Sequence, residues 1–419
     1  MKRFFEIFRL ELVSVVRSKA LALLSVVSVA WMLAMPYVVK GDGTAEGARE
    51  LYVHYSVGGV FALLVVALVA SATGAIARER ASRRLQLTMV RPVRYLVIAL
   101  GKMAAYVATG AFVLALAMTV LVLRSDATRP CNHVLSPVLP SPREEAQAMY
   151  ESYMKDPDTP EAVKKASKAV VLRLLTQKAL DHYQTVPTNA VADWKFDLSS
   201  CSGMPATMAV RMRFTNQFDM RQDVLGSFAL DGLTCSVSNI TQAVLEVPLG
   251  TKTVSREATL SFDNRGKNAL MLRPRKDINL LVRADPLWAN AVRAYLEMVA
   301  ILAVVVAFGV FLGAGLGRPV ALFVALVTLV LGEMSPSVVD QYPDQLETDR
   351  LDKIGLYLTR FAAEVTHPIT SLSPSEALSK DECVEWSELR RVLLVDLLAV
   401  PLLLALLSAL VMPLKQEDL

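Results

Sequence analysis

The chain has 419 residues, of which 53% are hydrophobic and 20% charged, with a formal net charge of +4 and a mean hydropathy of +0.41. Soluble domains carry roughly 45–50% apolar and about 25% charged residues, and here apolar runs long enough to span a bilayer alternate with long polar stretches. This excludes a soluble globular enzyme, a disordered chain and a small disulfide scaffold, and the small, scattered charge excludes a nucleic-acid partner.

The first 20 residues open basic, and Phe4, Phe5, Phe8, Leu12 and Val15 recur at helical spacing with Arg3, Glu6 and Glu11 elsewhere on the wheel. The pattern predicts an amphipathic helix in the membrane interface, the alternative being a plain extension of the first span. A basic start before an apolar run resembles a signal peptide, but no small-x-small cleavage site follows, so the segment reads as an anchor. A hydrocarbon core about 30 Å thick takes about 20 helical residues. Six spans are predicted on that ground: Leu21–Val39, Val57–Ala77, Val97–Leu123 with Lys102 inside, Met298–Gly317, the short Pro319–Gly332, and Val392–Leu414 with Asp396 inside.

Orientation follows from short basic segments. Lys2, Arg3, Arg9, Arg17 and Lys19 flank the first span, and Arg78, Arg80, Arg83, Arg84, Arg91, Arg94 and Lys102 crowd the turn after the second, against one acid, Glu79. Residues 40–54 and 334–391 hold more acids than bases. Both termini, including the tail 415–419, are therefore expected in the cytoplasm, with the chain in the inner, cytoplasmic membrane. Arg390 and Arg391 run against this trend, softened by Glu385 and Glu388.

Residues 124–287 then fall outside. A Pro-rich linker, Pro130 to Pro142, precedes helical segments over 143–183, with Pro160-Glu161 as a start signal. From 194 to 283 the period shortens: Met208–Phe214, Ala243–Val247 and Thr259–Phe262 alternate, with turn signals at Asp231-Gly232 and Asp263–Gly266. The expected fold class is a mainly α-helical polytopic membrane protein with an inserted extracytoplasmic α+β domain, a helical segment plus a small antiparallel β-sandwich, another α+β arrangement remaining open. All four cysteines, Cys131, Cys201, Cys235 and Cys383, lie outside, where oxidation is expected. Cys201 with Cys235 is the favoured pairing, leaving Cys131 with Cys383; unpaired thiols are the alternative.

No catalytic or metal motif emerges. Gly101-Lys102 lacks the upstream glycine and the hydroxyl residue of a phosphate loop, and neither His-Glu-x-x-His nor Gly-x-Ser-x-Gly occurs. Asp156-Pro-Asp158 reads as a solvated turn. The chain is expected to be no enzyme and to bind no cofactor directly.

The informative stretch is the basic turn 78–94. Glu79 to Val90 suits a short surface helix stopped before Pro92, with Leu85 and Met89 on one face and Arg80, Arg83 and Arg84 supplying charge. The plain alternative is a loop held by phosphate head groups. Glu79-Arg80, Leu85, Leu87, Pro92-Val93 and Gly101-Lys102, set in this layout of helices, resemble the type-2 ABC exporter permeases over residues 1–123 and 286–419. Arg83-Arg84 stands where that family has Gly-Thr, and Arg94-Tyr95 where it has Ser-Arg.

The resemblance implies that Arg78, Glu79, Arg80, Arg83, Arg84, Leu85, Leu87, Met89 and Pro92 form a coupling helix. A separate ABC ATPase subunit would dock there and bind ATP-Mg. It further implies two permease copies, homo- or heterodimeric, in contact with membrane lipids, and leaves the outer domain to meet an extracytoplasmic partner. Over 288–333 and 334–391 it implies an outer re-entrant roof. Glu333 and Pro336 would break the short span, and an amphipathic helix would follow through Leu351, Ile354, Leu358, Phe361, Ala362 and Val365. Glu333, Pro336 and Asp396 are the conduit or gate candidates; a plain loop with Glu333 at the water boundary, and Asp396 reaching water or Arg391, are the alternatives. Arg293 and Glu297 are expected to pair at i, i+4 at the start of span four. The competing function is a membrane-anchored extracytoplasmic binding, sensor or scaffold protein of the cell envelope.

Overall fold

A computed structural model describes residues 2–17, 19–39, 45–82, 94–125, 129–138, 142–155, 168, 170–176, 185–199, 205–215, 221–253, 255–272, 277–341 and 374–414. The chain divides into two units, one of Met1–Arg129 with Pro286–Leu419, the other of Pro130–Asp285.

The first unit is helical: α1 (Lys2–Arg17), α2 (Ala20–Val38), α3 (Ala45–Ala81), α4 (Tyr95–Arg124), α5 (Leu287–Gly315), α6 (Arg318–Gln341), α7 (Pro374–Ser379), α8 (Trp386–Leu394), a π-turn (Val395–Ala399) and α9 (Val400–Leu414). Among the described residues, five stretches are long and apolar enough to cross a membrane: Leu21–Val38, Gly47–Ala81, Tyr95–Arg124, Leu287–Gly315 and the continuous Trp386–Pro413. That is the make-up of a multi-pass membrane protein. The sixth expected span is not among them. The apolar part of α6 covers only Arg318–Val330, about 20 Å of helix against a core about 30 Å thick.

Helix and apolar run also have different limits. α3 starts well before Val57, through Glu46, Arg49 and Glu50, and α5 starts before Met298, through Arg293 and Glu297. Charge ends a hydropathy window without ending the backbone ladder. The predicted break at Gly332–Pro336 is likewise absent, since the backbone stays helical through both residues to Gln341. A proline removes one N–H from the ladder, and α2 carries on through Pro36 in the same way.

The core of this unit forms where α5 meets α3, α4 and α9. It is built on Leu64, Leu68 and Ile76 of α3, Met103 and Leu114 of α4, Met298, Leu302 and Val306 of α5, and Ala405 of α9. Of the most apolar window of each span, 72% is buried in α5 but 17% in α2 and 22% in the last span. α5 is therefore the central helix, and α2 and α9 turn apolar faces outward, as a lipid solvent allows.

The second unit is built on two four-stranded antiparallel sheets. Their strands are β1 (Pro130–Leu135), β2 (Thr185–Val186), β3 (Val191–Asp197), β4 (Pro205–Arg213), β5 (Asp223–Leu230), β6 (Leu233–Ile240), β7 (Val244–Thr253), β8 (Glu257–Asn264), β9 (Leu270–Met271) and β10 (Ile278–Pro286). One sheet runs β1-β10-β4-β7, the other β3-β8-β5-β6, with β2 and β9 as a separate pair. Alternation sends Trp194, Phe196, Phe228 and Phe262 from one sheet, and Val210, Met212, Leu280 and Val282 from the other, into one core. The rings of Phe228 and Phe262 stack with centroids 4.5 Å apart.

The turn signals are obeyed unevenly. Asp231 and Gly232 both take positive φ, 46° and 90°, the tight hairpin geometry that Asp-Gly favours between twisted strands. At Asp263–Gly266 the strand instead continues to Asn264, whose buried amide nitrogen donates to the carbonyls of Val186, Pro187 and Asn268. At the end of β3, the N–H of Ser199 donates to Asp197 Oδ1 at 2.9 Å and holds that carboxyl below its usual range. The helix Pro142–Lys155 packs Ala146 against Val171 and Leu175 of the helical stretch 170–176; the rest of the predicted 160–183 helix lies outside the described residues.

Candidate functional site

Among the described residues, two buried polar clusters punctuate the helical unit. The first gathers where α3 ends and α4 begins, on either side of the basic turn. Lys102 is 3% exposed, and its Nζ donates to Glu11 Oε2 of α1 at 2.7 Å and to Glu79 Oε1 of α3 at 2.8 Å. Tyr106, one turn further along α4, donates its hydroxyl to Glu11 Oε1 at 2.8 Å. Gly101 makes this approach possible, because a Cβ there would stand 2.8 Å from Ile7 of α1. Arg80, beside Glu79, donates to the carbonyls of Ala314 at 2.6 Å and Leu316 at 3.0 Å. It thereby caps α5 at the end where a helix dipole favours a cation. Arg78 folds back on its own helix, Nε to Gly74 O. Residues at both edges of the turn are thus fastened to α1, α3, α4 and α5 together.

The second cluster lies at the other end of the same helices. Asp381, in the turn after α7, pairs with both nitrogens of Arg49 on α3 and with Arg129 at 3.4 Å. Asn290 of α5 donates to Glu382 O at 2.7 Å and accepts the N–H of Val384 at 2.8 Å. Arg293, one turn on, donates to Val384 O at 2.8 Å and lies 5.1 Å from the Trp386 ring centre. Glu297 lies within electrostatic reach of the carboxylates of Glu388 and Asp396. Asp396 sits in the π-turn Val395–Ala399 and is 4% exposed between outward-facing Val395 and Leu398. The extra residue of a π-turn re-aims side chains within a helix, and such turns recur at functional sites.

Of the predicted coupling residues, Arg78, Glu79 and Arg80 are placed as above, and Arg83, Arg84, Leu85, Leu87, Met89 and Pro92 lie outside the described residues. Glu333 and Pro336 fall on the helical backbone of α6, and the 351–365 helix lies outside the described residues. The favoured Cys201–Cys235 bridge is not formed: Cys235 is a free thiol. It sits on β6 opposite Phe228 and packs partly against the core, as a small apolar residue would. Cys201 lies outside the described residues. Cys131 and Cys383 are each disulfide-bonded.

Sequence reading missed Glu11, Tyr106, Arg49 and Asp381 as members of these clusters. Glu11 carried one usable signal, an acid on the helix face that holds Ile7, Phe8 and Val15. Nothing local marked its partner, because Lys102 lies 91 residues away. Scans of the chain against protein-family models, curated proteins and solved structures give no match.

Proposed function

We propose that this chain is the membrane subunit of an ATP-driven type-2 ABC exporter. In this reading it sits in the cytoplasmic membrane with both termini inside, and a separately encoded ATPase docks on the turn 78–94. The supporting observation is the fastening at the edges of that turn. Lys102 joins Glu79 to Glu11, and Arg80 grips the end of α5. A force applied between residues 82 and 94 would move α1, α3, α4 and α5 as a set, which is what a chain without nucleotide chemistry of its own needs. A partner's ATP cycle can shift such a set only if its two states engage the turn differently. A pair of copies related by twofold symmetry would let one closing ATPase pair act on both turns.

The test combines two measurements. Replacing Leu85 and Met89 by Asp should abolish co-purification with the ATPase and transport-linked ATP turnover, while the spans still fold. Cysteine labelling should reach residue 86 from the cytoplasmic side. Retention of the ATPase by the double variant, or labelling from the opposite side, would overturn the reading. The second outcome would favour an envelope binding or scaffold role instead.

A further inference from the structure

The two faces of α1 meet different surroundings. On the inward face, Ile7 and Phe8 stand against Gly101 of α4, Val15 packs on the helical core, and Glu11 is bonded to Lys102 and Tyr106. Even so, no residue of α1 is fully buried. The opposite face is exposed and mixes apolar side chains with cations. At 3.6 residues per turn, Phe5, Val13 and Val16 fall beside Lys2 and Arg9 there, with Leu10 at the edge. Phe5, Leu10 and Val16 are 62%, 72% and 55% exposed. Lys2 and Arg9 are exposed as well, as are Arg17 and Lys19 where the helix ends. Among the described residues, none of these four cations pairs with a carboxylate. Glu6 is the one acid on the outward side, because Glu11 is turned inward to Lys102.

Water does not suit Phe5, Leu10 and Val16, and hydrocarbon does not suit Lys2 and Arg9. A helix face that carries both belongs where headgroups meet acyl chains. The position of α1 agrees, since it docks beside the first turns of the spanning helix α4. A second protein helix fits less well, because Lys2 and Arg9 divide the apolar residues that such a seam would keep in one stripe. The surplus of positive charge selects among lipids. We propose that the outward face of α1 is a binding surface for anionic phospholipid headgroups, and that Glu11 passes this anchorage on to the start of α4.

The experiment places the full chain in nanodiscs of phosphatidylcholine, or of an equal mixture of phosphatidylcholine and phosphatidylglycerol, and follows amide hydrogen exchange by mass spectrometry. Each cation near an anionic surface adds attraction, so α1 should exchange about tenfold more slowly in the anionic discs. The difference should shrink in about 1 M salt, where the screening length falls to about 3 Å. Lys2→Gln combined with Arg9→Gln should remove most of it; both side chains are exposed, so the packing is left intact. Glu11→Ala should leave α1 sensitive to lipid charge while the first two turns of α4 cease to respond. Equal exchange of α1 in the two kinds of disc overturns the proposal, as does a difference that survives the double substitution. A response of α4 that persists in Glu11→Ala overturns the role given to Glu11. Protection of α1 that is equal in both lipids and found only in discs holding two copies assigns the face to a second copy of the chain and likewise overturns the proposal. Both leaflets of a disc carry the same lipid and no ATPase is present, so this result and the fate of the exporter reading are independent.

Discussion

The two ends of the helical unit bury charge in opposite ways. Around Lys102, one cation meets two carboxylates, a tyrosine hydroxyl completes Glu11, and both acids are fixed within 2.8 Å of a donor. Around Glu297, the carboxylates of Glu388 and Asp396 lie within electrostatic reach, and Arg293, one turn back on α5, donates to Val384 O. The first arrangement joins three helices through one cation; the second gathers acids on the face that α5 shares with α8. Buried charge therefore fastens helices together at the first end, and at the second it concentrates acids between neighbouring helices.

Cutting the fastener gives the largest expected effect. Lys102→Met strands two carboxylates in an apolar setting, and losing one partner of a buried pair costs roughly 3 kcal/mol or more. The unfolding midpoint in detergent should fall accordingly, and amide exchange along α1 should accelerate as Glu11 lets go. Adding Glu11→Gln and Glu79→Gln should restore most of the loss, because the uncompensated charges are then gone. An unchanged midpoint for Lys102→Met alone would show that the cluster is solvated and the comparison mistaken.

The difference between the ends bears on what was legible in the sequence. Spans were readable because about 20 apolar residues satisfy a single physical demand, that of the hydrocarbon core. Asp231-Gly232 was readable because its conformation is set by its own two residues. The Lys102 cluster was half readable: Gly101-Lys102 and Glu79-Arg80 stood out as motifs, but their joint partner on α1 is fixed only by folding. Arg293 shows the same limit: i, i+4 spacing reports proximity along one helix, whereas the carbonyl it donates to belongs to a turn 91 residues away. The expected break at Pro336 failed for a related reason, since a local penalty on one hydrogen bond does not decide the course of a whole helix. Pairing that depends on tertiary approach leaves no periodic trace.

A smaller effect is expected at Arg49, which shares the end of the unit with Glu297 but belongs to a balanced pair. Arg49→Met leaves Asp381 with Arg129 at 3.4 Å, so the buried acid keeps a counter-charge and the loss should be about 1–2 kcal/mol. Hydrogen exchange should show the change concentrated in α7 and the turn to α8. A loss as large as that of Lys102→Met would mean that Arg129 contributes nothing and that the pair is as exclusive as the Lys102 fastener.

Glu297→Gln should give the smallest change in stability, and of the opposite sign. The substitution preserves shape, removes one of three mutually repelling charges, and supplies an N–H that can be offered to Asp396 or Glu388. The unfolding midpoint should therefore stay level or rise, by about 1 kcal/mol at most, where the equivalent neutralisation of Glu79 lowers it. A clear fall on Glu297→Gln would reveal a donor that the carboxylate needs, and the two ends of the unit would then follow the same rule.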